Sequence, residues 1–80
     1  EILTEEQKYN EYILTALRTK WGIDENAIIQ RFSLKISDFF QKKVKKHQND
    51  GFLTQNKKLF VLTKKGKFLA DRIASDLFYI

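Results

Sequence analysis

Residues Gly51 to Gly66, GFLTQNKKLFVLTKKG, constrain the fold of this chain more than any other stretch. Two short apolar arms, Phe52–Thr54 and Leu59–Leu62, flank a polar tip, Gln55–Lys58. Asn56 in the tip suits a tight turn, so the stretch predicts a β-hairpin. Thr63 follows with a side-chain oxygen able to cap the free N–H groups of a helix. A two-stranded ribbon is marginal alone in water, so this one must lie on helices.

The chain supplies them on both sides. Thr4-Glu5-Glu6-Gln7 reads as a capping box, with two acids at the positive end of a helix. Tyr9, Tyr12, Ile13, Ala16 and Leu17 then recur at helical spacing. Trp21 is expected to extend that face, and Gly22 to end the helix in a left-handed turn. Asp24 predicts the cap of a short helix from about Glu25 to Phe32, with Ile28, Ile29 and Phe32 inward. Ser33-Leu34-Lys35 reads as a tight turn. A third helix from Ile36 or Ser37 to Gln48 places Ile36, Phe39 or Phe40, and Val44 inside. After the hairpin, a closing helix from about Lys64 to Phe78 is expected to bury Phe68, Leu69, Ile73 and Leu77. Tyr9, Tyr12, Phe39 and Phe68 are expected largely inside. Residues 1–80 thus read as one α+β domain of winged-helix-like form. It has three helices, a two-stranded β-hairpin as the wing and a closing C-terminal helix.

Eighty residues suffice for one small core, burying roughly 60% of the surface of the unfolded chain. Eleven aromatics, seven of them Phe, provide its bulk. The chain has no cysteine, which rules out a disulfide, a thiolate zinc site or a cysteine-held cluster within it and suits a reducing compartment, the cytoplasm. No apolar run approaches the roughly 20 residues that span a bilayer. The chain opens Glu-Ile-Leu, as expected of a piece of a longer protein.

The net charge of +5 is unevenly spread. Residues 35–67 hold ten Lys against Asp38 and Asp50, net +8, whereas residues 1–34 are net −2 and 68–80 net −1. A basic middle can face nucleic acid or an acidic protein, or simply be solvated, and the solvated reading is favoured for Lys42-Lys43-Val44-Lys45-Lys46.

Two helices joined by a short turn and followed by a hairpin match the helix-turn-helix order, which raises nucleic-acid binding as the alternative function. The outward positions of the third helix would be Ser37, Asp38, Gln41, Lys42, Lys45 and Gln48. Arg18, Arg31 and Arg72 are the only arginines, and none lies on this helix or the wing. Lysines there would hold phosphates without reading bases, so nucleic acid is not the favoured partner. No catalytic set stands out. His47 is the single histidine and is expected on the surface near a helix end, with no second histidine or cysteine to complete a metal site. Asp71 and Asp76 lie five apart and do not share a helix face.

The wording of the chain adds a resemblance. Tyr9 to Asp24, YNEYILTALRTKWGID, is similar to the helix that opens the C-terminal domain of oxygen-independent coproporphyrinogen III oxidase-like proteins. Asp50-Gly51-Phe52-Leu53, together with Leu59 to Ala74, LFVLTKKGKFLADRIA, resembles the same domain's ending. The resemblance covers nearly the whole chain, and residues 25–49 are its least distinctive part. It lies nearest the haem-chaperone branch. It implies a parent radical S-adenosylmethionine protein whose catalytic barrel carries a CxxxCxxC motif, a [4Fe–4S] cluster and S-adenosylmethionine. None of those residues is in this chain, so catalytic, cofactor-binding and metal residues are expected to be absent here. The implied role is that of an accessory domain packing beside the barrel, with porphyrin or haem possible in the parent. Haem contact through His47, Tyr9, Tyr12 or Tyr79 is conceivable, but a defined axial site is not expected.

Arg18, Trp21 and Gly22 are the candidate docking surface. Arg18 follows core Leu17 and should project at the edge of the apolar stripe. A Trp beside an Arg is a pairing enriched at interface hot spots, and Trp is rarely fully buried. The competing expectation is that Trp21 covers the bottom of its own core, with Arg18 lying over a ring or reaching a carboxylate.

Overall fold

The computed structural model describes residues 4–79. Helix α1 (Glu5–Leu17) starts at the expected capping box, with the Gln7 N–H donating to Thr4 Oγ1 at 3.1 Å and the Thr4 N–H to Gln7 Oε1 at 2.9 Å. Its Tyr9, Ile13, Ala16 and Leu17 form one buried stripe. The helix ends at Leu17, earlier than Gly22, so Trp21 leaves the helical face and stands exposed in the following turn. Thr19 shapes that turn by donating its hydroxyl to the Ala16 carbonyl at 2.8 Å and accepting the Gly22 N–H at 3.2 Å.

Gly22, at φ 75°, redirects the chain into a strand that the sequence pattern did not reveal, β1 (Ile23–Asp24). Asp24 then caps α2 (Glu25–Arg31) by accepting the Asn26 N–H at 2.9 Å. Of the three residues expected inward here, Ile28 and Phe32 are buried, but Ile29 is 48% exposed. Ile29 follows Ile28 by one position, about 100° around a seven-residue helix that has only one packed side.

Ser33 is a helix cap rather than the start of the expected tight turn. It accepts the Ile36 N–H, so α3 (Leu34–Asn49) begins two residues before the expected start. Helix α3 buries Ile36, Ser37, Phe40, Val44 and His47. Ser37 and His47, both expected at the surface, are therefore inside. Phe40 is fully buried, its ring edge-on to Phe60 at 5.7 Å, whereas Phe39 is half-buried against Tyr79.

Strands β2 (Leu53–Asn56) and β3 (Leu59–Leu62) form the hairpin around Lys57 and Lys58, with Lys57 at φ 59°. The sheet has three antiparallel strands in the order β1-β3-β2, with Ile23 opposite Phe60 and Leu53 opposite Leu62. The Glu25 N–H donates to the Lys58 carbonyl at 2.9 Å, so the start of α2 is tied to the turn. The order helix, strand, two helices, two strands is that of a winged helix, and the fold is α+β.

The closing helix is broken. Thr63 caps α4 (Lys64–Lys67) by accepting the Gly66 N–H at 3.0 Å, and its hydroxyl donates to the Gly51 carbonyl at 2.6 Å. Gly66 packs so closely on β2's entry that a Cβ there would fall 2.0 Å from the Phe52 carbonyl oxygen. Leu69, at φ −118° and ψ 23°, interrupts the helix before α5 (Ala70–Leu77). The break turns Phe68 out of the core, where it is 85% exposed, against the expectation that it lies inside. Helix α5 packs Ile73, Ala74 and Leu77 onto α1 and α3.

Candidate functional site

The surface where α1 ends carries an open groove of about 540 Å³. Leu17, Val61, Leu62 and Ala70 supply its apolar lining, and Arg18, Thr19, Lys20 and Lys67 its polar lining. The local causes are readable. Helix α1 stops at Leu17, so its last turn presents Arg18 to Lys20 beside β3. The break between α4 and α5 places Lys67 and Ala70 opposite.

Of the three expected docking residues, Arg18 is exposed and lines the groove. Trp21 is 63% exposed and adjoins the lining residue Lys20, whose Nζ lies 5.1 Å from the Trp21 ring centroid. The cation over that ring is Lys20, not Arg18. Gly22 is half-buried, and a Cβ on it would fall 2.0 Å from the Phe60 carbonyl oxygen. Its place is the seam between α1 and the sheet, against Phe60 and Val61 of β3. Lys67, Val61 and Leu62 complete the groove without having been read from the pattern, and Phe68 lines the neighbouring recess. The signal for the break beside Lys67 and Phe68 was Gly66, a helix-weakening residue inside the closing helical pattern.

The face made by α3 and the hairpin has a different character. Glu25, Gln41, Val44, Lys45, Gln48, Gln55 and Phe60 line a recess of about 130 Å³. Asp38, Lys42, Lys45 and Lys46 are exposed on α3, and Lys57 and Lys58 at the turn. This is a lysine surface with Asp38 and Glu25 within it, suited to phosphate contact and without the arginine that makes the commonest base-reading contact.

His47 lies between α3 and α5. Its Nε2 is 2.8 Å from Asp76 Oδ2, and Lys43 Nζ approaches Asp76 Oδ1 at 3.6 Å. Desolvation pushes the Asp76 carboxyl up, but the His47 hydrogen bond and the Lys43, His47 and Lys46 charges outweigh it, leaving the group below its ordinary value. The His47 ring is buried, so it offers no open axial position. Tyr9 is buried as well, and its hydroxyl donates to the Leu77 carbonyl at 2.8 Å; burial pushes its phenol well above the usual range. Tyr12 accepts the Asp24 N–H at 3.0 Å.

The donor chemistry does not fit a [4Fe–4S] cluster, since the chain contains no thiolate to ligate one. Among the described residues no three His, Asp or Glu side chains gather as metal ligands. No helix among them is long and apolar enough to cross a membrane.

These features define a small winged-helix-like domain with an apolar, cation-rimmed groove at one end. A family model described as the HemN C-terminal domain matches residues 3–69. The chain belongs to that family, which bears out the resemblance to coproporphyrinogen III oxidase-like proteins. Comparison with curated proteins and with solved structures gave no match. The family match ends at Leu69, so α5, which closes the core with Ile73 and Leu77, lies beyond the matched residues.

Proposed function

We propose that residues 1–80 form the single, non-catalytic C-terminal domain of an oxygen-independent coproporphyrinogen III oxidase-like radical S-adenosylmethionine protein of the cytoplasm. The domain packs beside the catalytic barrel and helps shape or cover its substrate side, where porphyrin or haem is handled. The observation that carries this reading is the family match over residues 3–69, joined to a chain without a cysteine. The cluster and S-adenosylmethionine chemistry of such a protein would be supplied entirely by the barrel.

Two measurements test the reading. The gene should encode a CxxxCxxC motif ahead of Glu1, and a start codon near Glu1 would overturn the proposal. Deleting residues 1–80 from the full-length protein should leave the iron–sulfur absorbance of the barrel intact while lowering porphyrin turnover or haem handling. Unchanged handling after deletion would show that the domain is a bare tail.

A further inference from the structure

The groove at the end of α1 has a composition that specifies its occupant. Four of its eight lining residues, Leu17, Val61, Leu62 and Ala70, are apolar, three are cations, and none is acidic. Trp21 and Phe68 are the chain neighbours of the lining residues Lys20 and Lys67 and are largely exposed; Phe68 itself lines the neighbouring recess with Lys67, Ala70, Asp71 and Arg72. Single exposed apolar residues are ordinary, but four apolar residues in one groove with an Arg among its lining match the make-up of an interface centre. The fold also places this feature at local breaks. Leu69 interrupts the closing helix without a side-chain cap, and Phe68 is turned outward there.

We infer that this groove binds an acidic segment bearing an apolar side chain, supplied by the catalytic domain of the same protein. The inference rests on the accessory-domain reading and adds to it the surface and the chemistry of the contact. The apolar side chain sits on Leu17, Val61, Leu62 and Ala70. Carboxylates of the segment face Arg18, Lys20 and Lys67. A bare polyanion would use the cations but leave the aliphatic floor uncovered. A purely apolar segment would strand three cations at its edge. An amphipathic acidic segment satisfies both sets of groups.

The test uses the full-length protein with the photo-cross-linker p-benzoylphenylalanine in place of Lys20, and separately in place of Lys45 on the far side. The Lys20 position should capture a peptide of the catalytic domain that contains acidic and apolar residues, and the Lys45 position should not. Arg18→Glu combined with Lys67→Glu should cut the Lys20 cross-link by about tenfold or more through like-charge repulsion. Lys42→Glu with Lys46→Glu should leave the yield unchanged. Capture of the catalytic domain from Lys45 alone would overturn the groove assignment while leaving the accessory reading standing. Capture from neither position would overturn the groove assignment, and the deletion experiment then decides the accessory reading separately. A Lys20 cross-link to a basic or wholly apolar peptide, or one unaffected by the double charge reversal, would overturn the stated chemistry.

Discussion

His47 and Asp76, 29 residues apart in sequence, meet at 2.8 Å and join α3 to α5. The contact couples the helix bearing the exposed lysines to the helix that closes the core. His47 contributes a buried ring, its Nδ1 without a hydrogen-bond partner among the described residues, so Nε2 depends on Asp76.

The first expectation is a pH dependence carried by that pair. The folded-state pKa of Asp76 lies below its ordinary value of 3.8, so the carboxylate adds stability that is fully present above that value. This stability is lost as the pH falls through the lower folded value. At neutral pH, Asp76→Ala should cost about 1–3 kcal/mol by orphaning a buried nitrogen. Melting curves of both proteins from pH 7 down to pH 2 check this. The difference should shrink below about pH 4, and a constant difference would refute the linkage.

Aromatic rings of the same size should behave oppositely in the 80-residue chain, which is expected to unfold in one cooperative transition. Phe40→Ala removes a fully buried ring and should cost about 3–5 kcal/mol. Phe68→Ala should stay within about 0.5 kcal/mol of the wild type. Urea unfolding of the two variants separates them, and a large loss for Phe68→Ala would contradict its outward placement.

Gly66 tests close packing against helix propensity. Ala is favoured over Gly inside a helix by about 1 kcal/mol, yet here its methyl would meet the Phe52 carbonyl. Gly66→Ala should therefore lower the melting temperature. A rise would mean that α4 stands further from Phe52 than described.

Duplex DNA should bind no more tightly than the nonspecific range of about 10⁻⁴–10⁻⁶ M at physiological salt, and without sequence preference. The exposed lysines of α3 supply the attraction, and the absence of arginine from α3 and the wing removes the commonest base-reading contact. A binding-site selection returning one motif would reverse this expectation.

Local chemistry explains what the sequence made legible. The capping groups of Thr4, Asp24 and Thr63 act within three residues of themselves, the apolar hairpin arms flank a polar tip, and the helical stripes carry their own period. The remaining features required tertiary contact. Strand β1 is two residues long and exists only because β3 lies beside it. His47 is buried because α5 supplies Asp76, a partner far along the chain. Phe68 had the right spacing for a core residue, but the close seat of Gly66 and the interruption at Leu69 changed the phase of the helix. In the docking surface, Arg18 and Trp21 stood out by residue type. Val61, Leu62 and Lys67 join them only through the packing of β3 and the broken helix against α1.

Tyr9 reaches the Leu77 carbonyl, and the Asn10 side chain both donates to the Tyr79 carbonyl and accepts the Tyr79 N–H. These bonds close loops of 68 and 69 residues, nearly the full length of the chain. During synthesis, α1 leaves the ribosome before the other helices of this domain, and the α5 side of its Tyr9–Ile13 stripe stays uncovered until the last residues emerge. The clamp can form only after translation of the domain is complete, at the cost of a long loop closure. A stop codon before Leu77 therefore reaches the first helix as well as the last, by leaving the Tyr9 hydroxyl without its acceptor.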